Sequence, residues 1–209
     1  MKVLLHPSYF PSIAHFVAMV QARQVVLEVC DNYQKQTYRN RTYIYGPNGK
    51  QALTVPVKHA KNATGHQKHK KVQIENNFHW QKQHWKTLQT AYRTSPFFEF
   101  YEDELAPFFQ KEHLFLMDLT KESIRLICSC LDLDFSYQTT TAYENTVTSA
   151  GLTDLRHLID AKSTQPKDFD PYTQVFETKH GFLENLSILD LLFNEGPQTV
   201  LYLERQKCL

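Results

Sequence analysis

The first 29 residues contain two short apolar runs, one on each side of a segment of helical length. Residues 2–5 (KVLL) and 24–29 (QVVLEV) are rich in β-branched and aliphatic side chains and have the length of strands. Residues 13–22 between them have the length and composition of a helix. A strand, a helix and a second strand in this order predict a β-α-β unit, which is the start of an α/β fold.

A β-hairpin is predicted next. The β-rich runs at 42–45 and 52–57 lie on the two sides of Gly46-Pro47-Asn48-Gly49, and an Asn-Gly pair between two such runs is a strong hairpin signal. Pro56 has no amide proton to donate, so we expect the second strand to be an edge strand or to end there.

The rest of the chain shows apolar residues mainly at helical spacing. We predict helices near residues 81–92, 95–109, 113–131 and 187–195, and we expect the last to be buried on most of its surface. Residues 136–150 are rich in Thr and Ser and are predicted as loops. The predicted fold class is therefore α/β: an N-terminal mixed β-sheet with a β-α-β start and a hairpin, followed by a mainly helical C-terminal half.

The composition excludes several broad classes of protein. With 42% hydrophobic residues, 22% charged residues and a formal charge of +1, the 209-residue chain is neither disordered nor generally polybasic. It has no run of about 18 apolar residues, and its four cysteines are scattered. We therefore expect a cytoplasmic protein without a membrane span and without a disulfide framework.

The segment that follows the first predicted strand is the first candidate site. His6-Pro7-Ser8-Tyr9-Phe10-Pro11 lies where a strand ends and a helix begins, a place where open α/β sheets usually bind ligands. His6 has the chemistry of a general base or acid near neutral pH, and Tyr9 adds a phenol. The alternative is a rigid strand exit in which the backbone satisfies the histidine.

Three cations form the second candidate site. If residues 33–41 are extended, Lys35, Arg39 and Arg41 point to one side of the chain. Two guanidinium groups and an ammonium group on one face suit a phosphate or a carboxylate. Two alternatives stay open: the cations lie on a solvated sheet face, or they pair with Glu28 and Asp31.

A third candidate is the stretch 58–71, which holds five lysines and three histidines and no acidic residue. Its charge could steer a nucleic acid, and its histidines could share a metal with ligands from elsewhere. It lacks interleaved aromatic residues and any known metal-ligand spacing, so a mobile, solvated loop is predicted. The sequence also lacks dinucleotide, P-loop and α/β-hydrolase motifs. We therefore expect no cofactor, no metal and no nucleic-acid partner.

Six blocks of the sequence together resemble the WbqC-like protein family. The resemblance runs in order from residue 5 to about residue 203 and is most specific in the first block, in the Asn40-Arg41 pair and in the last block. The blocks are 6–11 (HPSYFP), 35–41 (KQTYRNR), 53–57 (LTVPV), 84–86 (HWK), 91–98 (AYRTSPFF) and 185–197 (NLSILDLLFNEGP).

The resemblance implies one WbqC-like domain over residues 1–209, sheet-rich to about residue 75 and mainly helical from about residue 76, of a type similar to Bacteroidetes members. Members of this family are bacterial and cytoplasmic, and are often encoded among genes for O-antigen or other surface polysaccharides. This setting implies a transferase that places an acyl or aminoacyl group on an amino sugar or nucleotide-sugar. This chain has Leu5-His6-Pro7 where many members have His-Gln-Pro.

The residues and the resemblance lead to one hypothesis. We expect a pocket at the end of the N-terminal sheet in which Lys35, Arg39 and Arg41 hold an anionic group of a sugar or of a carrier-bound acyl substrate. His6 and Tyr9 are the expected catalytic residues, and Asn40 is expected to orient the substrate.

Secondary candidates and rival functions complete the prediction. Asp190, Asn194 and Glu195 lie on the last predicted helix, with capping or buried polar pairing as the alternative. The rival functions are a non-catalytic binding or scaffold protein of polysaccharide assembly, a nucleic-acid-binding protein and a metal-dependent hydrolase. The oligomeric state stays open.

Overall fold

The computed structural model describes residues 1–58, 67–147, 149–162 and 168–207. Each helix that the apolar spacing predicts is present, and the α/β fold class is confirmed. The elements, in chain order, are β1 (Lys2–Leu5), α1 (Ile13–Val20), β2 (Gln24–Leu27), β3 (Arg41–Gly46), β4 (Gly49–Thr54), α2 (Trp80–Tyr92), α3 (Phe98–Gln110), α4 (Leu116–Cys130), β5 (Tyr137–Thr139), β6 (Leu152–Asp154), α5 (Glu177–His180), α6 (Ile188–Glu195) and α7 (Thr199–Arg205).

The strands form two sheets rather than one. The first is a parallel four-stranded sheet in the order β5-β2-β1-β6, and the second is the antiparallel hairpin β3-β4. The β-α-β unit is confirmed, because β1 and β2 pair in parallel with Val3 opposite Val25. The interpretation of residues 136–150 as loops is wrong for 137–139, because β5 pairs there with β2.

Strand β1 lies in the middle of the parallel sheet. Val3, Leu4 and Leu5 are all buried, as expected for a strand that is covered on both faces. Such a strand is continuously apolar and does not alternate, which is why the KVLL run identified it so clearly. Many aromatic side chains, among them those of Phe98, Phe108 and Phe109 on α3, belong to a single core cluster.

Helix α6 is almost fully buried, as is α1. Its residues from Ile188 to Asn194 are all buried, as predicted. Ser187 caps its start, with its Oγ accepting a hydrogen bond from the Leu189 amide at 3.3 Å. Ser187 also forms a bridge with Ser12, so α6 is attached to the segment that leads from β1 into α1.

No helix within the described ranges is long and apolar enough to cross a membrane.

Candidate functional site

Three parallel strands direct their following segments to one edge of the sheet. His6 directly follows β1, Asp31 lies in the segment after β2, and Asp154 ends β6. A cleft of about 770 Å³ opens at this edge, the place where α/β sheets usually bind ligands. We call it the strand-end cleft. It is lined by His6, Asp31, Asn32, Gln34, Arg39, Tyr143, Asn145, Asp154, Arg156, His157, Ile159 and Asp160.

His6 is buried, and both of its ring nitrogens face charged side chains. Its Nε2 lies 3.2 Å from Nη2 of Arg39, and its Nδ1 lies 3.3 Å from Oδ2 of Asp31. Because a guanidinium group can only donate, Nε2 must accept and the ring proton is on Nδ1, facing the carboxylate. Burial, helped by the charge of Arg39, lowers the pKa of His6 from 6.5 to about 3. The ring is therefore neutral at pH 7.

Arg39 and Asp31 form a buried ion pair behind this histidine. Nε and Nη2 of Arg39 donate to Oδ2 of Asp31 at 3.0 and 2.6 Å, and Nη1 donates to Oγ1 of Thr37 at 3.2 Å. Burial by itself would raise the pKa of Asp31, but His69, Arg39 and His6 outweigh it and hold that pKa below its usual value. The Asp31 carboxylate is therefore ionised at neutral pH. For Arg39, the alternative of a cation paired with Asp31 is the correct one.

A second buried histidine, His69, completes the group around Asp31. Its Nδ1 lies 3.3 Å from Oδ1 of Asp31, and its backbone amide donates to the Asp31 carbonyl at 3.1 Å. Burial lowers its pKa. The prediction that residues 58–71 form a solvated loop is therefore wrong at His69. Residues 59–66 of the same stretch lie outside the described residues.

Arg156 brings a second cation to the cleft, and sequence reasoning missed it. Its Nη2 and Nε donate to the two carboxylate oxygens of Asp154 at 2.6 and 2.9 Å, and its Nη1 lies 3.7 Å from Oε2 of Glu28. The hydrogen bond from Arg156 lowers the pKa of Asp154. The sequence signal was weak, because β6 has only three residues and no alternation.

Tyr9, predicted as catalytic together with His6, lies in the core and not in the cleft. It is fully buried, and its hydroxyl hydrogen-bonds with Nδ1 of His84 at 3.0 Å. Its ring packs against Trp80 and Phe108. Burial raises its pKa well above the usual value, so its visible role is in packing.

The three predicted cations do not share one face. Residues 35–40 form turns, with Gln36 at a φ of 61°, so the alternation of an extended chain does not apply. Arg39 lines the strand-end cleft, whereas Lys35, Asn40 and Arg41 line a different pocket of about 750 Å³. We call it the cationic pocket. It is lined by Tyr33, Lys35, Gln36, Asn40, Arg41, Thr54, Val55, Pro56, Val57, Lys58, Glu75 and Phe78.

Asp190, a secondary candidate, lies in a buried polar network away from both pockets. It accepts hydrogen bonds from the hydroxyls of Tyr92 and Tyr172, both at 2.6 Å, and from Nε2 of Gln174 at 3.1 Å. Burial raises its pKa to about 6. The side-chain amide of Asn194 donates to the Asp190 carbonyl at 2.7 Å, so it is bound within its own helix.

Glu195, the third secondary candidate, is half-buried at the last position of α6. None of the three secondary candidates lines the strand-end cleft. The cleft itself combines two imidazole groups, those of the buried His6 and the exposed His157, with two guanidinium groups and three carboxylates, and such a set can accept a proton and bind hydroxyl and amine groups. Within the described ranges, no group of three or more His, Cys, Asp or Glu residues is placed to hold a metal ion.

Comparison with known proteins gives a family match over most of the chain. The family model described as the WbqC-like protein family matches residues 6–165. The uncharacterized protein Rv1507c of Mycobacterium tuberculosis is 27% identical over 224 residues, which cover 96% of each chain. No solved structure matches the chain. The matched range contains the whole strand-end cleft, whose lining residues run from His6 to Asp160.

Proposed function

Because the chain belongs to the WbqC-like protein family, we propose that it transfers an acyl or aminoacyl group to the amine of an amino sugar, free or attached to a nucleotide, in the bacterial cytoplasm. The setting, synthesis of O-antigen-type surface polysaccharide, comes from the family resemblance. The chemistry is argued from the strand-end cleft. The observation that carries it is a neutral, buried His6 held between Asp31 and Arg39 in a cleft rich in carboxylates.

The charges of the cleft favour an amine-bearing ligand over a bare polyanion. Two cations line it, Arg39 and Arg156, and each is already paired with a carboxylate. The carboxylates that line it are three, Asp31, Asp154 and Asp160. Asp160 has an exposed side chain and can accept from an ammonium group or from sugar hydroxyls. An amino sugar carries both the amine and the hydroxyl groups that these carboxylates can bind.

The proposed step forms a bond between the sugar nitrogen and the acyl carbon. The bond between that carbon and the leaving group of the donor breaks, and the nitrogen loses one proton. Nε2 of His6 takes this proton and returns it to the leaving group, while the Asp31 carboxylate, 3.3 Å from Nδ1, stabilises the positive charge that forms on the ring. Arg39 must leave Nε2 for this to happen, and its freed N–H groups can then stabilise the negative charge on the carbonyl oxygen.

One observation favours a second candidate, a binding protein without catalysis. In the arrangement described, Arg39 occupies the lone pair of Nε2, and a pKa of about 3 makes His6 a weak base. A protein that only holds an amino sugar for other enzymes would need the same contacts and no opening of the His6–Arg39 contact.

The experiment that tests the proposal measures product formation by mass spectrometry. The protein is incubated with acyl-CoA donors and aminoacyl donors against a panel of amino sugars and UDP-amino sugars. We expect one acylated product, and we expect His6→Gln to lower kcat by about 10²- to 10⁴-fold without a large change in Tm. His180→Gln, at an exposed histidine outside the cleft, is the matched control.

The outcomes separate the two functions. Unchanged turnover in His6→Gln contradicts the assignment of His6. A ligand that raises Tm without any product supports the binding protein, since saturation at 100 times Kd should add about 2.7 kcal/mol of stability.

A further inference from the structure

We propose that the cationic pocket binds a nucleoside diphosphate, at a site separate from the strand-end cleft. The inference goes beyond the transfer reaction, because it needs no chemistry in the cleft. It rests on the charge, the unsatisfied polar atoms and the apolar surface of the pocket.

The charge of this pocket is opposite to that of the cleft. Lys35, Arg41 and Lys58 line it, against a single acidic residue, Glu75. Among the described residues, none of the three cations belongs to an ion pair. Glu75 accepts from the Asn77 amide at 3.3 Å, so its carboxylate is engaged in a turn. The cations are therefore available to an anion, unlike Arg39 and Arg156.

Two polar atoms of the lining residues lack partners. Nε of Arg41 is buried, and within the described part of the chain no hydrogen-bond acceptor reaches it. Oδ1 of Asn40 is likewise buried without a donor there, although Nδ2 of the same amide donates to the Val55 carbonyl at 2.9 Å. Unpaired buried polar atoms are unfavourable, so the Arg41 guanidinium gains stability if it turns toward a phosphate that gives Nε an acceptor.

The remaining surface suits a flat ring. Pro56 and Val57, both partly exposed, form an apolar wall, and Tyr33 and Phe78 add aromatic rings. Phe78 is 69% exposed, which is unusual for a phenylalanine and leaves its ring free to stack. Nucleobases stack on such rings regardless of base identity. Cations together with an aromatic, apolar wall indicate a nucleotide rather than a bare phosphate.

The position of the pocket relates it to the cleft. The segment 32–41 contributes Asn32, Gln34 and Arg39 to the cleft, and it contributes Tyr33, Lys35, Gln36, Asn40 and Arg41 to the cationic pocket. One short segment thus lines both the strand-end cleft and the cationic pocket. The cations of the cleft are paired with carboxylates, whereas those of the cationic pocket are not.

Isothermal titration calorimetry with UDP and ADP on the full chain tests this inference. We expect saturable binding of both nucleotides, at least tenfold tighter than binding of uridine or of inorganic phosphate. Arg41→Gln should weaken binding about tenfold, as loss of a hydrogen bond to a charged group does. Lys35→Gln/Lys58→Gln should do the same, and because both side chains are exposed this variant should fold normally.

The matched control is Lys82→Gln/Lys86→Gln, which removes two exposed cations from α2, outside the cationic pocket. It should leave the affinity within twofold. Phe78→Ser should weaken the binding of both nucleotides about tenfold and leave the binding of pyrophosphate unchanged. The inference is overturned if neither nucleotide saturates, if the control weakens binding as much as the pocket variants, or if pyrophosphate binds as tightly as UDP.

A cleft variant distinguishes this inference from the proposed function. Asp160→Asn should leave UDP affinity unchanged, and a loss there would place the nucleotide in the cleft and contradict the inference. UDP binding that depends on the pocket, in a protein with no transfer activity, would support the inference and count against the transferase alone.

Discussion

At the scale of single residues, two arginines of the segment 32–41 differ in their pairing: one lines the strand-end cleft and the other lines the cationic pocket. Arg39 is 1% exposed and contacts Asp31, His6 and Thr37, whereas Arg41 is half-buried and has no ion-pair partner in the described chain. Breaking a buried ion pair by removing one partner leaves the other charge uncompensated. Arg39 therefore stabilises the fold of the cleft through this buried pair.

We predict that Arg39→Met lowers the free energy of unfolding by about 3–5 kcal/mol. The cause is the buried Asp31 carboxylate, so the double variant Asp31→Asn/Arg39→Met should be more stable than Arg39→Met by about 1–3 kcal/mol. Urea unfolding at pH 7 measures all three proteins. Arg93→Met, which breaks the largely exposed pair with Glu102, is the control and should cost less than about 1 kcal/mol. Equal losses at the two arginines would contradict this account.

At the scale of elements, Gly196 fixes how α6 ends against α3. Its φ of 52° and ψ of −123° are accessible mainly to glycine, and a Cβ at this position would meet the Phe97 ring at 2.5 Å. The Phe97 amide also donates to the Phe193 carbonyl at 3.0 Å, so the start of α3 is attached to α6 at the same point.

We predict that Gly196→Ala lowers the free energy of unfolding by at least about 2 kcal/mol, because backbone strain and overpacking add. Gly181→Ala separates the two causes, since Gly181 also has a positive φ of 74° but open space around its Cβ position. It should cost clearly less than Gly196→Ala in the same denaturant titration. If the two substitutions cost the same, contact with Phe97 has no part in the effect.

The sequence predicts elements well where one physical signal dominates. The KVLL run and the apolar stripe of α6 are long or pure enough that burial follows directly from their pattern. Strands β5 and β6 are three residues each and are held by pairing with β2 and β1, so tertiary contacts determine them rather than local composition.

The candidate site was predictable only in part, because tertiary contacts that local composition does not reveal bring several of its residues together. His6 was accessible to sequence reasoning because it directly follows a strand of an α/β sheet. Arg39 separates from Lys35 and Arg41 because the chain turns between them and Asp31 binds the guanidinium group. His69 and Arg156 reach the site from segments far along the chain, and single-sequence patterns carry no information on such contacts.

At the scale of the whole molecule, buried histidines make the fold sensitive to acid. Burial lowers the pKa of His6 to about 3 and that of His84 to about 4, and it lowers the pKa of His69 and His113. A histidine with a folded pKa below its unfolded value contributes stability that is complete above about pH 6.5 and is lost as pH falls. Asp190 acts in the opposite direction: its folded pKa of about 6 exceeds 3.8, so its contribution is lost as pH rises. Because four histidines act against this one aspartate, the free energy of unfolding should fall as the pH is lowered.

His84 offers the clearest measurement of this effect, because it lies in the core beside Tyr9 and outside the strand-end cleft. Between pH 7 and 4.5, its unfolded form gains a proton that the folded form resists, which removes about 2–3 kcal/mol. We predict that His84→Gln is less stable than the wild type at pH 7. Its free energy of unfolding should fall by about 2–3 kcal/mol less than that of the wild type between pH 7 and pH 4.5. Tyr9→Phe is the control: it removes the hydroxyl partner but keeps the histidine, so its stability should keep most of the wild-type pH dependence. Urea unfolding at the two pH values gives the comparison, and equal slopes for the wild type and His84→Gln would show that another group carries the acid sensitivity.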